Sequence, residues 1–231
     1  EPMPTTDPDE KVEAPIKIIN SIPFAPSSTH RNLPWESPSG REGESTFSLG
    51  KMLQREDNQD ARIYGSLIHK CFEYVEWLED GIPEISFLTQ HLQLVEGTTP
   101  SQVENAIKKF QQILKNPETA QLLSRQQYAA DLFQSYDKLV IENERPFEVR
   151  LGQNIMNGFI DRLVLLIRDE KVIGADIVDF KTDSVPTDSP EDLQKRVNVY
   201  KPQIHSYRDA VAAIYGLSLD DISARLMFVA I

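Results

Sequence analysis

The sequence predicts an α/β domain in which helices come first, followed by three strands, a long helix and a last strand. Residues 65–124 carry apolar side chains at three- and four-residue intervals, which is typical of amphipathic helices. Residues 138–182 are rich in Val, Ile, Leu and Phe, as expected of strands. A helical stretch at 190–215 and an apolar segment at 223–231 complete the order.

Residues 1–59 are predicted to form an extended, proline-rich arm or linker, and residues 60–231 the folded domain. Eight of the 15 prolines lie within residues 1–38, in a stretch that is also rich in Ser, Thr, Asp and Glu. Such a composition buries little apolar surface. Residues 16–19, Phe24 and Trp35 are the parts of the arm that could dock on the domain.

The first predicted helix begins near Gly65 and extends to about Leu78. A glycine near the start of a helix lowers helix propensity, which indicates close approach to another part of the backbone. His69 lies one turn beyond Gly65 on the same side of the helix. Cys71 lies on the apolar side, where a packed thiol is expected.

A helical subdomain is predicted next, with helices at 83–94, 100–114 and about 117–124. Thr99 suits the N-cap of the middle helix, and Pro100 suits its first position. These segments combine apolar residues at helical spacing with Lys and Gln on the other side. They therefore indicate ordinary packing helices rather than a site.

The predicted hairpin can bring two acidic residues together. Strands at 151–167 and 171–182 flank the polar residues 168–171, and adjacent strands lie roughly 5 Å apart. Asp161 and Asp179 can therefore be neighbours if the register allows. Two facing carboxylates repel each other unless a cation lies between them, and Mg²⁺ or Mn²⁺ suits oxygen ligands best.

Lys181 follows Asp179 by two positions, so both side chains lie on one face of the strand, about 7 Å apart along the chain. Taken alone, this pair is better explained as solvated charges joined by an ordinary salt bridge. The interpretation as a metal site depends on what else occurs in the chain.

In the last helix, Gln203 and Tyr207 share a face, Pro202 predicts a break or a new first turn, and Gly216 suits the C-terminal end.

The chain resembles the RecB/AddA-type branch of the PD-(D/E)XK nucleases over residues 60–231. The motifs that carry the resemblance occur in the family's order: Gly65-x-x-x-His69, Glu144-x-Pro146-Phe147, Gly158-x-Ile160-Asp161-Arg162, Asp179-Phe180-Lys181-Thr182 and Gln203-x-x-x-Tyr207. Each motif alone is weak, and the set is specific. The resemblance implies a restriction-endonuclease-like core, in which a mixed β-sheet is flanked by helices.

The resemblance also implies a role for each matching residue. His69, Asp161 and Asp179 correspond to metal ligands, and the backbone carbonyl of Phe180 is expected to contribute. Lys181 corresponds to the residue that orients or deprotonates the attacking water.

Two further motifs match family positions with supporting roles. Gln203 and Tyr207 correspond to a motif near the active site that is expected to position the DNA strand and the catalytic groups. Glu144 matches a position of less defined role and is treated as secondary.

The function implied by the resemblance is hydrolysis of DNA phosphodiester bonds with Mg²⁺ or Mn²⁺. An exonuclease is expected, as the nuclease domain of a helicase–nuclease that acts in double-strand-break repair or recombination. Some relatives carry an iron–sulfur cluster, but a cluster needs several thiolates and this chain has one cysteine, so that cofactor is excluded. Two alternatives remain: a non-catalytic scaffold or DNA-end-binding module, and a self-standing nuclease for RNA or branched DNA.

The composition limits these interpretations. A net charge of −12 argues against a free-standing nucleic-acid binder, because such proteins carry a basic face. A bound cation or tethering to a helicase would reconcile this charge with a DNA substrate. One cysteine fits a reducing cytoplasm, and no apolar run approaches the ~18 residues of a membrane span. The chain has no phosphate-binding loop for ATP.

Overall fold

A five-stranded mixed β-sheet flanked by helices forms the fold in the computed structural model, which describes residues 17–19, 57–129, 136–152, 154–182 and 190–229. The strands are β1 (Lys17–Ile19), β2 (Lys138–Leu151), β3 (Asn154–Arg168), β4 (Lys171–Lys181) and β5 (Ile222–Phe228). The helices are α1 (Asp57–Glu73), α2 (Ile85–Leu92), α3 (Pro100–Leu114), α4 (Pro117–Leu122) and α5 (Pro190–Tyr215). This architecture confirms the predicted α/β fold class.

The sheet has the strand order β1-β5-β4-β3-β2. Strands β4 and β5 are parallel and are connected through α5, whereas the other neighbouring pairs are antiparallel. The predicted hairpin is formed by β3 and β4, and its turn residues Asp169 and Glu170 have φ values of 49° and 60°. Two positive φ angles are typical of a tight turn that follows the twist of the two strands.

Strand β4 is buried on both faces, because it separates two hydrophobic cores. Ala175 and Ile177 pack with α5, whereas Val178 and Phe180 pack with the helices that precede the sheet. Successive side chains of a strand point to opposite faces. The continuous apolar run in this segment is therefore the expected sequence of a central strand.

The first helix differs from its prediction at both ends. It begins at Asp57 and ends at Glu73, and Leu78 belongs to a separate 3₁₀ helix, Leu78–Asp80. The early turns are polar, so apolar spacing does not reveal them. They are stabilised by a tertiary contact in which Gln102 Nε2 of α3 donates to Asp60 Oδ1 at 2.9 Å.

Gly65 makes the close approach that its position in a helix indicates, although the neighbour is a side chain rather than backbone. A Cβ atom at this position would lie 2.9 Å from Thr182 Oγ1. Thr182 directly follows β4, so Gly65 brings α1 close to the end of the strand that carries Asp179 and Lys181.

The middle helix of the helical subdomain begins as predicted. Thr99 is the N-cap of α3, Pro100 is its first residue, and Thr99 and Gln102 form a reciprocal capping box. Cys71 is buried, and burial raises the pKa of its thiol to about 12, so it packs as a neutral side chain.

The prediction of a break at Pro202 is wrong, because α5 continues through this residue. A proline inside a helix costs about 3 kcal/mol. Val197 before it and Ile204 after it are buried against the sheet, and burying such a side chain contributes roughly 1.5–3 kcal/mol. Packing on both sides of the proline therefore offsets its cost.

Part of the N-terminal arm adds an edge strand to the sheet. Lys17–Ile19 pairs antiparallel with β5, with Ile18 opposite Met227. Phe24 and Trp35 lie outside the described residues, and the boundary between arm and domain at residue 60 stays a prediction. Among the described residues, no helix combines the length and hydrophobicity needed to cross a membrane.

Candidate active site

The hairpin places Asp161 and Asp179 at facing positions of neighbouring strands. The last paired residues of β3 and β4 are Arg162 and Val178, and the next position in this register sets Asp161 opposite Asp179. Asp161 Oδ2 accepts a hydrogen bond of 2.7 Å from the backbone N–H of Phe180. This bond fixes the Asp161 carboxylate at the end of the β3–β4 ladder.

Three potential metal ligands, from α1, β2 and β3, converge beside this position. His69 Nδ1 lies 3.5 Å from Asp161 Oδ2 and 4.0 Å from Glu144 Oε1. One ligand atom from each of the three side chains lies within 4.8 Å of the others. We call His69, Glu144 and Asp161 the ligand cluster.

Glu144 reaches the ligand cluster through an unusual backbone conformation. Its φ is 47°, and it interrupts the pairing of β2 with β3 between Asn143, opposite Arg162, and Arg145, opposite Ile160. A left-handed conformation in a residue other than glycine costs of order 1 kcal/mol or more, and such residues concentrate at functional sites. This interruption lies directly opposite Asp161.

Two members of the ligand cluster, Glu144 and His69, have raised pKa values. Burial, followed by the charge of Asp161, raises the pKa of Glu144 to about 7. Burial alone would lower the pKa of His69, but the carboxylates of Asp161, Asp179 and Glu144 outweigh it and raise the pKa above its ordinary value. The cluster is therefore an acidic site in which a proton or a cation relieves repulsion between carboxylates.

Asp179 and Lys181 form an ion pair that is buried rather than solvated. Lys181 Nζ lies 2.9 Å from Asp179 Oδ2, and the two side chains are 13% and 2% exposed. Burial raises the pKa of Asp179, although Lys181 opposes the shift. Asp179 Oδ2 accepts no well-directed hydrogen bond, so this buried carboxylate oxygen retains capacity for a further ligand.

Behind Lys181, a row of side chains on α5 fixes its position. Lys181 Nζ donates to Gln203 Oε1 at 2.8 Å, and Gln203 Nε2 donates to the Tyr207 hydroxyl at 2.9 Å. Gln203 and Tyr207 are 4% and 5% exposed, so this arrangement orients Lys181 and offers little surface to a DNA strand. Burial, with the charges of Asp179 and Asp161, raises the pKa of Tyr207, which keeps its hydroxyl neutral.

Tyr200 belongs to the same row and was not identified from the sequence. The Lys181 ammonium lies 4.4 Å from the centroid of the Tyr200 ring, which is a favourable cation–π distance. Tyr200 precedes Gln203 by three residues and Tyr207 by seven, and these intervals place all three on one helical face. That spacing was the available signal.

The structure thus groups the predicted site residues into two adjacent sets. His69 and Asp161 lie in the ligand cluster together with Glu144, which the sequence marked only as secondary. Asp179 is not part of that 4.8 Å group and instead contacts Lys181.

The side chain and the backbone of Phe180 have different contacts. Its ring stacks on Phe72 with centroids 4.2 Å apart, and its N–H contacts Asp161. The participation of its carbonyl, and of Asp179, in metal binding stays a prediction.

Comparison with protein families shows which superfamily the chain belongs to. A model of the PD-(D/E)XK nuclease superfamily matches residues 46–231, which is well over half of the chain. The chain belongs to the PD-(D/E)XK nuclease superfamily. Among curated proteins, no match was found. Members of this superfamily hydrolyse phosphodiester bonds and typically use divalent metal ions, a chemistry that the two carboxylates and the imidazole of the ligand cluster can support.

Proposed function

We propose that this PD-(D/E)XK nuclease cleaves DNA with Mg²⁺ or Mn²⁺ as its cofactor. The observation that carries the proposal is the convergence of His69, Glu144 and Asp161 within 4.8 Å next to the buried pair of Asp179 and Lys181. A structural salt-bridge network gives no reason for the strained backbone of Glu144. A site that presents several oxygen ligands to one ion gives such a reason, because the strain brings the Glu144 carboxylate to the other ligands.

The residues present fit a hard divalent cation. His69, Glu144 and Asp161 would hold it, and Asp179 Oδ2 and the Phe180 carbonyl are further candidate ligands. Carboxylate and carbonyl oxygens are the donors that Mg²⁺ and Mn²⁺ prefer. When bound, the cation supplies positive charge that offsets the charge developing on the phosphate.

Lys181 is the residue to which we assign the catalytic role beside the cation. Its ammonium is fixed by Asp179 and Gln203, and it lies on the strand that faces Asp161. We assign to it the orientation of the attacking water and stabilisation of the additional negative charge in the transition state. Gln203 and Tyr207 act as positioning residues for Lys181.

The motif order, which resembles the RecB/AddA branch, supports a more specific role as an exonuclease domain linked to a helicase in DNA break repair or recombination. The net charge of −12 fits this role better than a free-standing nuclease, because a tethered motor would supply DNA affinity and a high effective concentration. We expect the isolated chain to bind DNA weakly without metal.

Cleavage is expected to require metal and DNA ends. Linear and circular DNA, each single- and double-stranded, are incubated with the chain and Mg²⁺ and followed on gels. We expect linear DNA to be degraded, EDTA to abolish the reaction, excess Mg²⁺ to restore it, and Ca²⁺ to bind without supporting turnover. Cleavage in EDTA at the Mg²⁺ rate contradicts the metal site, and equal loss of circular DNA contradicts the exonuclease assignment. Tight binding of DNA ends without cleavage identifies a binding module instead.

Metal affinity is expected to rise with pH between 6 and 8. Glu144, with a pKa of about 7, and His69, with a raised pKa, carry protons at the acidic end that a cation must displace. As these protons leave, the Kd for Mn²⁺ falls, by up to roughly tenfold per pH unit for each displaced proton. Calorimetry at pH 6, 7 and 8 measures this, and Glu144→Gln should flatten the profile. Equal affinities at pH 6 and 8 contradict the assignment.

A further inference from the structure

Two side chains at facing positions of β2 and β3 bind the last residue of α1, Glu73, and the segment that directly follows it. Asn143 is paired with Arg162 in the sheet. Asn143 Nδ2 donates to the carbonyl oxygens of Glu73 and Val75 at 2.9 and 3.0 Å. Arg162 donates from Nη1 to the Val75 carbonyl at 2.9 Å and from Nη2 to the Glu76 carbonyl at 2.5 Å. We call Asn143 and Arg162 the helix clamp.

Asn143 binds the end of the helix itself, whereas Arg162 binds the segment after it. The last carbonyls of a helix lack intrahelical partners and carry partial negative charge, so the Asn143 amide stabilises the carbonyl of Glu73. The Arg162 guanidinium fixes the path of the chain at Val75 and Glu76, directly after α1. Arg162 is 1% exposed and its guanidinium lies 5.2 Å from the centroid of the Trp77 ring. Burial lowers its pKa only to about 10, so it is charged at neutral pH.

The helix clamp is adjacent in sequence to two members of the ligand cluster and is linked to the third through α1. Asn143 precedes Glu144 in β2, and Arg162 follows Asp161 in β3. The third ligand, His69, lies on α1 one helical turn before Glu73, whose carbonyl Asn143 binds. A shift of α1 along or away from the sheet would therefore separate the His69 imidazole from both carboxylates.

We propose that Asn143 and Arg162 are positioning residues that set the distance of His69 from Glu144 and Asp161 and thereby determine metal affinity. This inference rests on the proposed metal-dependent function. Groups that orient metal ligands typically change metal affinity 10- to 100-fold when they are lost. The same range is expected for the helix clamp.

Arg162→Met distinguishes a positioning role from an electrostatic role, because the two predict opposite changes in the Kd for Mn²⁺. Removal of a positive charge close to a cation site should, by Coulomb's law alone, tighten cation binding. Loss of positioning should weaken it. We expect the Kd for Mn²⁺, measured by calorimetry well below the unfolding temperature, to rise about 10- to 100-fold, and Arg162→Lys to recover part of this loss.

Arg208→Met is the matched control for general destabilisation. Arg208 is also largely buried and likewise donates to two backbone carbonyls, those of Ile222 and Leu219, but it connects α5 to the first residue of β5 and the turn before it. The two substitutions remove the same charge and the same kind of bond. We expect the control to keep its Kd for Mn²⁺ within about threefold of the wild type, and Asn143→Leu to behave like Arg162→Met. Asn143→Leu also provides the test if Arg162→Met does not fold.

The outcomes distinguish this inference from the proposed function. If the wild type binds Mn²⁺ and the folded helix-clamp variants bind it equally well, or if the control weakens binding as much as they do, the positioning role is refuted and the metal site remains. If the wild type itself binds no Mn²⁺, the proposed metal site fails. Amide hydrogen exchange over residues 70–76 provides a readout independent of metal, because faster exchange in Arg162→Met than in Arg208→Met is required by the proposal.

Discussion

Lys181→Met is expected to lower kcat for DNA cleavage at least ~100-fold, which is the typical effect of removing one preorganised group that stabilises transition-state charge. Methionine keeps an unbranched side chain against Tyr200 but removes the ammonium that contacts Asp179 and Gln203. Single-turnover cleavage with saturating Mg²⁺ measures the chemical step. Cleavage at the wild-type rate contradicts the role assigned to Lys181.

The same substitution leaves the buried Asp179 without its cationic partner, so stability needs a separate control. Removing one partner of a buried ion pair typically lowers the free energy of unfolding by roughly 3–5 kcal/mol. The double variant Asp179→Asn, Lys181→Met removes both charges and should recover much of the free energy of unfolding measured in urea. It should remain inactive. Activity that returns together with stability would mean that Lys181 serves only the fold.

Asp161→Asn is expected to have the second large effect, because Asp161 joins the ligand cluster to the strand hairpin. An amide oxygen can still accept the hydrogen bond from the Phe180 N–H, so the fold should persist. Loss of the negative charge beside His69 should weaken Mn²⁺ binding at least ~100-fold, beyond what indirect changes produce. Cleavage at a fixed, limiting Mg²⁺ concentration should fall by at least the same factor. Calorimetry and the linear-DNA assay measure the two effects.

Asp169→Asn is the matched control on the same hairpin. Asp169 is exposed in the turn between β3 and β4 and has a left-handed φ of 49°, a conformation that asparagine adopts readily. It lies eight residues from Asp161, roughly 25 Å along an extended strand. Its replacement should leave Mn²⁺ affinity and cleavage near the wild-type values. If both variants reduce affinity equally, the effect comes from net charge and not from a ligand.

The hairpin that carries Asp161 and Asp179 was predictable because it depends on local information. A polar turn between two apolar segments specifies an antiparallel hairpin, and the turn sets the register. The bulge between Leu166 and Ile167 shifts that register by one residue, which the sequence did not reveal. The register that sets Asp161 opposite Asp179 could therefore not be predicted from the turn.

The share of Glu144 in the ligand cluster could not be predicted, because it depends on a backbone conformation that glutamate rarely adopts. The sequence predicts a regular strand here, in which Glu144 would pair with Asp161. Such a strand gives no indication that Glu144 Oε1 lies near His69. The C-terminal end of α1 could not be predicted for a similar reason. The carbonyls of Glu73 and Val75 accept hydrogen bonds from Asn143 and Arg162, which lie about 70 or more residues further along the chain.

Manganese anomalous diffraction from crystals of the wild-type chain shows directly whether one metal ion binds among His69, Glu144 and Asp161. One anomalous peak is expected, with ligand atoms of His69, Glu144 and Asp161 at roughly 2.0–2.3 Å and Lys181 beside it. The peak should be absent from crystals of Asp161→Asn. A wild-type map in which manganese binds elsewhere, with no peak among His69, Glu144 and Asp161, would refute the proposed metal site.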